Sequence, residues 1–333
     1  MDWPLFTKEM LTWYEGNARV LPWRENHDPY RVWVSEIMLQ QTRVDTVIPY
    51  YLRFMAAFPT VQALAEADET ILLKHWEGLG YYTRARNLQK AAKTIVEQYD
   101  GIFPVNYNAV RNLPGIGDYT AGAICSIAFE QPTPAVDGNV LRVLSRLLQD
   151  DSDIMKPDTR KRYTQLLASI YPESNRGDFT QSLMELGALI CIPGTPACDR
   201  CPVHSLCGAF KAGNPEDYPV RPMKKDKKIQ QLTVFLISDG THLSICKRPQ
   251  GLLANLWEFP NVPGWLDEQA VRTYLANQGY CAEHVEAGRQ VKHIFTHIEW
   301  QMQIYRCKVD RVDEPYLTDG ITLPTAFRKL LKE

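Results

Sequence analysis

Residues 112–121 read NLPGIGDYTA, and apolar residues with helical spacing follow as far as Ala128. Gly115 and Gly117 bracket one apolar residue, so they allow a tight turn between two helices. Backbone N–H groups at the start of the second helix would then be exposed, and they could hold an anion without a positively charged side chain. A turn with no binding role is the alternative, because a Pro-Gly pair by itself indicates only a turn.

The apolar spacing around this turn is helical throughout the part of the chain before residue 211. In residues 88–99, apolar side chains fall at i, i+4, i+7, i+8 and i+11, which is the pattern of one helix face. The same period recurs in residues 60–75, 119–129, 139–148 and 158–170. We therefore expect residues 1–210 to form a mainly α-helical domain.

The pattern changes after residues 211–228, a segment rich in Pro, Gly and charge that we predict to be a linker. Beyond it the sequence is β-rich, with one helical stretch. The predicted strands are residues 231–238, 242–246 and 300–309, and the predicted helix is residues 267–279. Residues 229–333 should therefore form a small α+β domain.

The composition is that of a globular protein. The chain has 333 residues, 45% hydrophobic and 23% charged, and 37 basic against 39 acidic residues give a net charge of −2. These values exclude disordered and collagen-like classes. No apolar run approaches the ~18 residues of a membrane span, and the first residues lack the features of a signal peptide, so we expect a cytoplasmic protein. The charge alone does not indicate a nucleic-acid partner.

Four of the eight cysteines are crowded into one short segment. They are Cys191, Cys198, Cys201 and Cys207, with intervals of six, two and five residues. In a cytoplasmic chain such thiols are more typical of metal ligands than of disulfides. Four thiolates suit a tetrahedral zinc ion or a 4Fe-4S cluster. Zinc ribbons usually contain two separated CxxC pairs and this segment contains one, which favours iron–sulfur and leaves zinc open.

Two carboxylates have surroundings that suit catalysis. Asp137 stands just before an amphipathic helix that begins near Asn139, where it is either a helix N-cap or a group that faces the sugar of a bound nucleotide. Glu36 stands among Val34, Ile37 and other apolar residues. It either extends to solvent or is partly buried with a raised pKa, as a general acid requires.

Five ordered strings together resemble the helix-hairpin-helix DNA glycosylases, and within them the adenine glycosylases of the MutY type. The strings are SEIMLQQTRV (35–44), GLGYYTRARN (78–87), LPGIGDYTAGAI (113–124), VDGNVLRVLSR (136–146) and the four-cysteine segment. The similarity covers nearly all of residues 1–210. It implies a six-helix module at about residues 29–130, and an iron–sulfur module formed by the N-terminus and residues 131–210 that binds one 4Fe-4S cluster.

The resemblance implies a monofunctional glycosylase that flips and excises adenine opposite 8-oxoguanine or G in double-stranded DNA. Glu36 would be the general acid and base, Asp137 would stabilise the oxocarbenium-like sugar, and Tyr119 would lie at the catalytic site. We expect a monomer without membrane attachment, associated with the nucleoid if the source is bacterial. Docking to replication or repair proteins stays open.

The other residues that we assign to DNA on this resemblance fall into three groups. Gly115, Gly117, Arg84 and Arg86 would contact phosphates. Gln41, Thr42, Leu79 and Tyr81 would fill the gap left by the flipped base and contact the mispair. Arg19, Leu21, Trp23, Arg24 and Gln181 would form the adenine pocket.

Two other functions are weighed against this one. A glycosylase of the endonuclease III type acts on oxidised pyrimidines with a lysine nucleophile in the hairpin helix. Here Tyr119 stands at that position, and the sequence contains no lysine between Lys93 and Lys156. The second is a protein that binds damaged DNA without catalytic activity, in which the two carboxylates would have no catalytic role.

Residues 254–264, ANLWEFPNVPG, resemble the Nudix fold, but the Glu-rich metal-binding helix of that fold is absent. We therefore expect a binding domain without hydrolase activity. In enzymes of the MutY type such a domain recognises 8-oxoguanine, and Phe295, Thr296 and His297 match its recognition loop. Thr296 stands where the family usually has serine. Simple strand alternation with Phe295 in the core is the alternative.

Overall fold

The computed structural model describes residues 1–222 and 226–332, and the chain forms two compact units. The first unit consists of the described residues of Met1–Ala67 and Thr83–Met223. The second consists of the described residues of Asp68–Tyr82 and Lys224–Glu333. Residues 223–225 of the predicted linker lie outside the described residues.

The first unit is helical, as the apolar period predicts. In chain order the helices up to the linker are α1 (Trp3–Asn17), α2 (Pro29–Leu39), α3 (Val44–Ala57), α4 (Val61–Glu66), α5 (Glu69–Trp76), α6 (Thr83–Tyr99), α7 (Tyr107–Arg111), α8 (Asp118–Phe129), α9 (Gly138–Leu148), α10 (Pro157–Ser169), α11 (Arg176–Leu189) and α12 (Gly208–Lys211). Phe6, Leu144, Tyr163 and Phe179 bring α1, α9, α10 and α11 into one core. No helix in the described ranges is long and apolar enough to cross a membrane.

The helices α7 and α8 form the hairpin that NLPGIGDYTA predicts. Gly115 has φ +77°, and a Cβ atom there would lie 2.6 Å from Cβ of Asn87, so only glycine fits. Gly117 is the N-cap of α8, and no side chain caps this helix start. The first backbone N–H groups of α8 therefore lack a side-chain acceptor, as an anion site at a helix N-terminus requires.

Residues 60–75 share one apolar period but form two helices, α4 and α5. Asp68 separates them, because its carboxylate accepts the N–H groups of Thr70 and Ile71 at the start of α5. The second helix belongs to the second unit, in which Glu77 pairs with Arg328 at 3.4 Å. The predicted domain of residues 1–210 and the first compact unit therefore differ over residues 68–82.

The second unit is α+β, as predicted. Its elements are β1 (Lys228–Ser238), β2 (Cys246–Lys247), β3 (Trp257–Glu258), β4 (Asn261–Pro263), α13 (Glu268–Asn277), β5 (Ala282–Ile294), β6 (Ile298–Val309) and α14 (Thr325–Arg328), together with α5. The main sheet has the order β4-β1-β6-β5, with β1 and β6 parallel and the other pairs antiparallel. Because side chains alternate along β6, Trp300 and Cys307 belong to separate cores on its two faces.

The elements β1, β6 and α13 confirm three of the four predictions for this part of the chain. The strand predicted at residues 242–246 is wrong: Leu243 and Ser244 make only isolated bridges, and β2 begins at Cys246. The long strand β5 is missing from the prediction. Only Val285 of this strand is buried, so its sequence lacks the apolar alternation that marks a half-buried strand.

The beginning of the predicted linker packs on the first unit. Nε of Arg146 donates to the carbonyl oxygens of Pro215 and Tyr218 at 2.8 and 3.0 Å. The N–H group of Ile154 donates to the carbonyl oxygen of Val220 at 3.2 Å. Residues 215–220 are therefore held in place, although their composition is typical of a free linker.

The close packing of α8 predicts a large effect of Gly122→Ala. A Cβ atom at residue 122 would lie 2.1 Å from the carbonyl oxygen of Pro134, so either α8 or the segment that contains Pro134 must shift. We expect the free energy of unfolding to fall by about 3 kcal/mol, measured by chemical denaturation. Gly16→Ala in α1 is the control, because its Cβ meets no atom within 4 Å and alanine favours helix. Equal stability of the two variants would contradict this account of α8.

Candidate active site

A cavity of ≈ 760 Å³ in the first unit is lined by all of the predicted catalytic and adenine-pocket residues. Those that line it are Arg19, Leu21, Trp23, Arg24, Glu36, Gln41, Thr42, Gly117, Tyr119, Asp137 and Gln181. Leu21, Trp23 and Gln181 are buried. The tertiary structure thus brings together residues from α2, the hairpin, the start of α9 and α11, which lie far apart in the sequence.

Glu36 is a buried carboxyl group on α2. The N-cap of this helix is Asp28, whose carboxylate accepts the N–H group of Arg31, and the helix continues through the apolar residues that surround Glu36. Tyr119 Oη donates a hydrogen bond to Glu36 Oε2 at 2.6 Å. Burial raises the pKa of Glu36 from 4.5 to about 7, against the lowering effect of the Tyr119 hydrogen bond. Of the two alternatives for Glu36, the structure favours the buried acid with a raised pKa, so Glu36 can hold a proton near neutral pH.

Tyr119 reaches this site from the second position of α8, two residues after Gly117. Burial and the nearby Glu36 carboxyl raise the pKa of Tyr119 well above 10.0. The phenol therefore stays protonated and acts as a hydrogen-bond donor. Gly117 of the hairpin and Tyr119, which contacts the buried acid, thus lie less than one helical turn apart.

Asp137 is both a helix cap and a wall of the cavity. Its Oδ1 accepts the N–H group of Val140 at 2.8 Å, and its Oδ2 accepts Nδ2 of Asn139 at 2.9 Å. Burial raises the pKa of Asp137, while these hydrogen bonds and the charge of Arg142 oppose the rise. Asp137 is therefore the N-cap of α9 and also lines the cavity, while its contact with the sugar of a bound nucleotide stays a prediction.

Asn139 and Arg142 are polar residues of this site that the sequence motifs leave without a role. Nη2 of Arg142 donates to Oδ1 of Asn139 at 2.9 Å, and Nε of Arg142 donates to the carbonyl oxygen of Cys191 at 2.7 Å. A chain of hydrogen bonds therefore joins the Asp137 carboxylate to the cysteine segment. The available signal was a pair of arginines, at 142 and 146, spaced one turn apart on the polar face of an amphipathic helix.

The four predicted cysteines line a second cavity, walled by apolar side chains of α9 and α11. All four are free thiols. Arg146 Nη1 donates to Cys191 Sγ at 3.4 Å. In the described part of the chain, no three His, Cys, Asp or Glu side chains converge on a single metal ion. Four soft thiol donors around one cavity, with a guanidinium beside them, fit the chemistry of an iron–sulfur cluster.

Two of the predicted DNA contacts take other positions. Arg84 was expected to contact phosphate, but its Nη1 donates to the carbonyl oxygens of Ile37 and Gln40, each at 2.7 Å. The guanidinium thus satisfies the free carbonyls at the end of α2, which sequence alone does not reveal. Leu79 is buried, at 6% exposure, rather than projecting to solvent. Arg86 is half-buried.

Two of the three other predicted wedge residues have unusual backbones. Gln41 is exposed and has φ 57°, and Tyr81 is 49% exposed and has φ 48°. Left-handed conformations cost energy for residues other than glycine and concentrate at functional sites. Thr42, beside Gln41, donates its hydroxyl to the carbonyl oxygen of Gln40 at 3.4 Å.

The predicted recognition loop is the turn between β5 and β6. The N–H group of Phe295 donates to the carbonyl oxygen of Ile298 at 2.8 Å, which closes the turn. Phe295 packs edge-on against Trp300, with ring centres 4.8 Å apart, while Thr296 and His297 are exposed. The Phe295 ring therefore packs against the core, as the alternative of simple strand alternation predicts, whereas Thr296 and His297 do not. Within this second unit, Thr296 Oγ1 lies 2.6 Å from Tyr81 Oη.

Residues 34–171 match the family described as HhH-GPD superfamily base excision DNA repair protein, and residues 233–333 match a NUDIX domain. The adenine DNA glycosylase of Homo sapiens is 35% identical, over 98% of this chain and 70% of that protein. The chain belongs to the adenine DNA glycosylase family. The Arabidopsis thaliana member is 38% identical over 89% of this chain, which spans 56% of that longer protein.

Solved structures of the wider superfamily share the helical fold. A thermostable thymine-DNA glycosylase is 28% identical with a TM-score of 0.58, covering 63% of this chain and 97% of its own. A trapped endonuclease III–DNA covalent intermediate is 25% identical with a TM-score of 0.52, covering 62% and 94% respectively. Their partial coverage of this chain agrees with a helical core followed by the second, NUDIX-matching domain of this chain.

The burial of Glu36 predicts how Glu36→Gln changes stability with pH. Because the fold raises the pKa of Glu36 to about 7 from 4.5, the native protein binds this proton more tightly than the unfolded chain. Stability is therefore lost as pH rises from about 4.5 to about 7 and then levels off. Glutamine avoids this loss, so above about pH 7 the variant should exceed wild type by roughly 3 kcal/mol.

The measurement is the free energy of unfolding of both proteins at low and high pH. Glu97→Gln, exposed on α6, is the control and should follow wild type at both values. A stability difference between Glu36→Gln and wild type that does not change with pH would contradict the raised pKa.

Proposed function

We propose that this chain is a monofunctional DNA glycosylase that excises adenine from double-stranded DNA in base excision repair. One observation carries the proposal: a buried acid with a pKa of about 7, Glu36, shares a cavity with a second carboxyl group, Asp137. Paired carboxyls in different surroundings are the arrangement by which glycosidic bonds are hydrolysed. The shared name of the family members supports adenine as the excised base.

A base inside a duplex cannot reach a buried carboxyl, so the adenine must first leave the helix. Unstacking and unpairing cost a few kcal/mol, which contacts to the DNA backbone and the emptied site must offset. The N–H groups at Gly117 bind a phosphate in our proposal. Gln41, held in a left-handed conformation at the cavity, enters the space that the adenine vacates.

The pocket for the flipped adenine lies on the wall formed by the N-terminal segment and α11. Leu21 and Trp23 supply apolar surface for the base, and Gln181 supplies a buried amide that can both donate and accept. Arg19 and Arg24 supply donors only. The adenine edge offers ring nitrogens that accept hydrogen bonds, so this set is complementary to it.

Glu36 in its protonated form donates to an imidazole-ring nitrogen of adenine, which turns the base into a good leaving group. The bond between sugar and base then breaks, and its electron pair leaves with the adenine. Asp137 in its ionised form stabilises the oxocarbenium-like sugar, and its N-cap hydrogen bonds favour that charge state. Water, deprotonated by Glu36, completes hydrolysis and returns the proton to the acid.

An efficient lyase step is not part of the proposal. That step needs an amine nucleophile close to the sugar. The hairpin helix instead presents Tyr119, whose hydroxyl is engaged with Glu36 at 2.6 Å.

Cys191, Cys198, Cys201 and Cys207 would hold one 4Fe-4S cluster. Such a cluster supplies a compact, multiply bonded anchor for the cysteine segment. Arg146 places positive charge beside the thiolates, and Arg142 connects the segment to the N-cap of α9. Metal analysis that found zinc and no iron would refute the cluster.

We also propose that the second unit recognises 8-oxoguanine opposite the adenine. The exposed Thr296 and His297 supply hydrogen-bonding groups, and the Tyr81 ring can stack on a base. The contact between Thr296 Oγ1 and Tyr81 Oη supports this role, because it joins a stacking residue to a polar residue.

The excision step predicts strong effects of both carboxyl variants. Glu36→Gln and Asp137→Asn should each lower the single-turnover rate of adenine release from an A:8-oxoguanine duplex by about 10²–10⁴-fold. Duplex binding should change little. Asp158→Asn, exposed on α10, is the control and should retain full activity. Adenine release by Asp137→Asn at a near wild-type rate would contradict the mechanism. Release of oxidised pyrimidines in place of adenine would favour an activity of the endonuclease III type.

The recognition loop predicts a change in mispair preference. Thr296→Val keeps the side-chain shape but loses the hydroxyl, so excision opposite 8-oxoguanine should fall by roughly tenfold relative to excision opposite G. Thr296→Ser keeps the hydroxyl and should retain the preference. An unchanged ratio of the two excision rates in Thr296→Val would remove Thr296 from the recognition of 8-oxoguanine.

A further inference from the structure

Glu185 is a buried carboxylate in the wall of the active-site cavity that lies outside the sequence motifs. It stands on α11, one turn after Gln181, and its side chain is 1% exposed. Arg19 donates three hydrogen bonds to it: one from the backbone N–H at 3.1 Å, one from Nε at 2.7 Å and one from Nη2 at 2.9 Å. It accepts a fourth from Nη2 of Arg24 at 2.9 Å.

The charge of Glu185 is fixed by these contacts. Burial by itself would raise the pKa of this carboxyl, but the hydrogen bonds from Arg19 and Arg24 outweigh burial and lower the pKa to about 2. Glu185 is therefore an anion near neutral pH. With two guanidinium groups against one carboxylate, the cluster carries a net charge of about +1.

Arg24 is the member of this cluster that faces the general acid. Its Nη1 donates to the carbonyl oxygen of Arg19 at 3.2 Å, and its guanidinium lies 5.6 Å from the Tyr14 ring centre. Its Nε is buried and has no hydrogen-bond partner among the described residues. The positive charge of Arg24 lowers the pKa of the Glu36 carboxyl. A group that neutralises Arg24 therefore also affects the pKa of Glu36.

We propose that Glu185 is a positioning residue of the adenine glycosylase site, which orients the Arg19 and Arg24 side chains toward the flipped base and limits the positive charge felt by Glu36. This inference rests on the proposed function. The carboxylate occupies both arginines on one side, so the guanidinium N–H groups that it does not bind are left for a ligand in the cavity that both arginines line. Without it, the two like charges would repel each other beside the acid.

A purely structural ion cluster would also be buried and well bonded, so the two roles need a measurement that separates them. The charged and titratable groups that face Glu36 are Tyr119 from α8, Asp137 from the start of α9 and Arg24 from the segment before α2. Loss of the Glu185 charge would leave Arg24 less neutralised, which favours the ionised form of Glu36. The protonated acid would then be lost at a lower pH. A structural defect alone lowers the rate equally at all pH values.

The test is the single-turnover rate of adenine release from an A:8-oxoguanine duplex, from about pH 5 to about pH 9. For Glu185→Gln we expect a loss on the order of tenfold at about pH 8 and of less than about threefold at about pH 5.5, with unchanged duplex affinity. Glu185→Asp keeps the charge and should recover most of the rate at high pH.

Asp150→Asn is the matched control. Asp150 is also a carboxylate with a pKa lowered to about 2, bonded by Tyr163 and Arg162, but it lies outside the cavity. It should cause no pH-dependent loss of rate. If Glu185→Gln does not fold, Arg24→Gln replaces it, and removal of that charge should move the high-pH limb of the profile upward.

The outcomes separate the two proposals. Wild type that releases no adenine overturns the proposed function and the inference with it. Wild type that releases adenine, combined with a Glu185→Gln loss that is equal at all pH values or absent, overturns the inference alone. An unchanged pH–rate profile for Arg24→Gln would likewise overturn the inference alone.

Discussion

The functional site depends on the hydrogen bond from Tyr119 Oη to the buried Glu36 carboxyl, 2.6 Å long. It joins α2, which carries the acid, to α8, whose N-terminus is the hairpin glycine. Burial keeps a proton on Glu36 near neutral pH, and the phenol orients that proton without removing it, because a buried tyrosine can only donate here. In the proposed mechanism, the helix α8 would therefore set the distance between a phosphate at its N-terminus and the acid, as a fixed flipped-base geometry requires.

The second carboxyl depends on a different helix, and its support extends to the cysteine segment. Asp137 caps α9, and the same helix presents the buried Arg142 and Arg146 to the carbonyl oxygens around Cys191. Buried guanidinium groups are costly unless their donors are satisfied, and those of Arg142 bond to Gly138, Asn139, Gly187 and Cys191. The N-cap of α9 and the cysteine segment therefore cannot shift independently.

Much of the wall around the cavity is polar and buried, which is unfavourable for stability unless every group has a partner. Glu36 has one donor, Asp137 has a side-chain and a backbone donor, and Glu185 has four. The pKa values of Glu36 and Glu185 follow this difference in hydrogen bonding: the pKa of Glu36 is raised to about 7 and that of Glu185 is lowered to about 2. A single fold thus provides a proton donor and an anion within one cavity by varying the number of donors around each carboxyl.

The sequence by itself determined the hairpin, the helical class of the first part and the four-cysteine segment, because glycine turns, apolar periods and short spacings are local properties. The pairing of Glu36 with Asp137 came from the resemblance of whole motif strings to a known family. Only the tertiary structure decided that Arg84 caps α2, that residues 68–82 pack with the second unit, and that Glu185 binds Arg19 and Arg24. Those features depend on residues 40 to 250 positions apart, for which one sequence carries no periodic signal. Burial has the same origin: whether Gln181 or Glu185 faces solvent or a cavity depends on which elements cover α11, and the residue type alone does not reveal it.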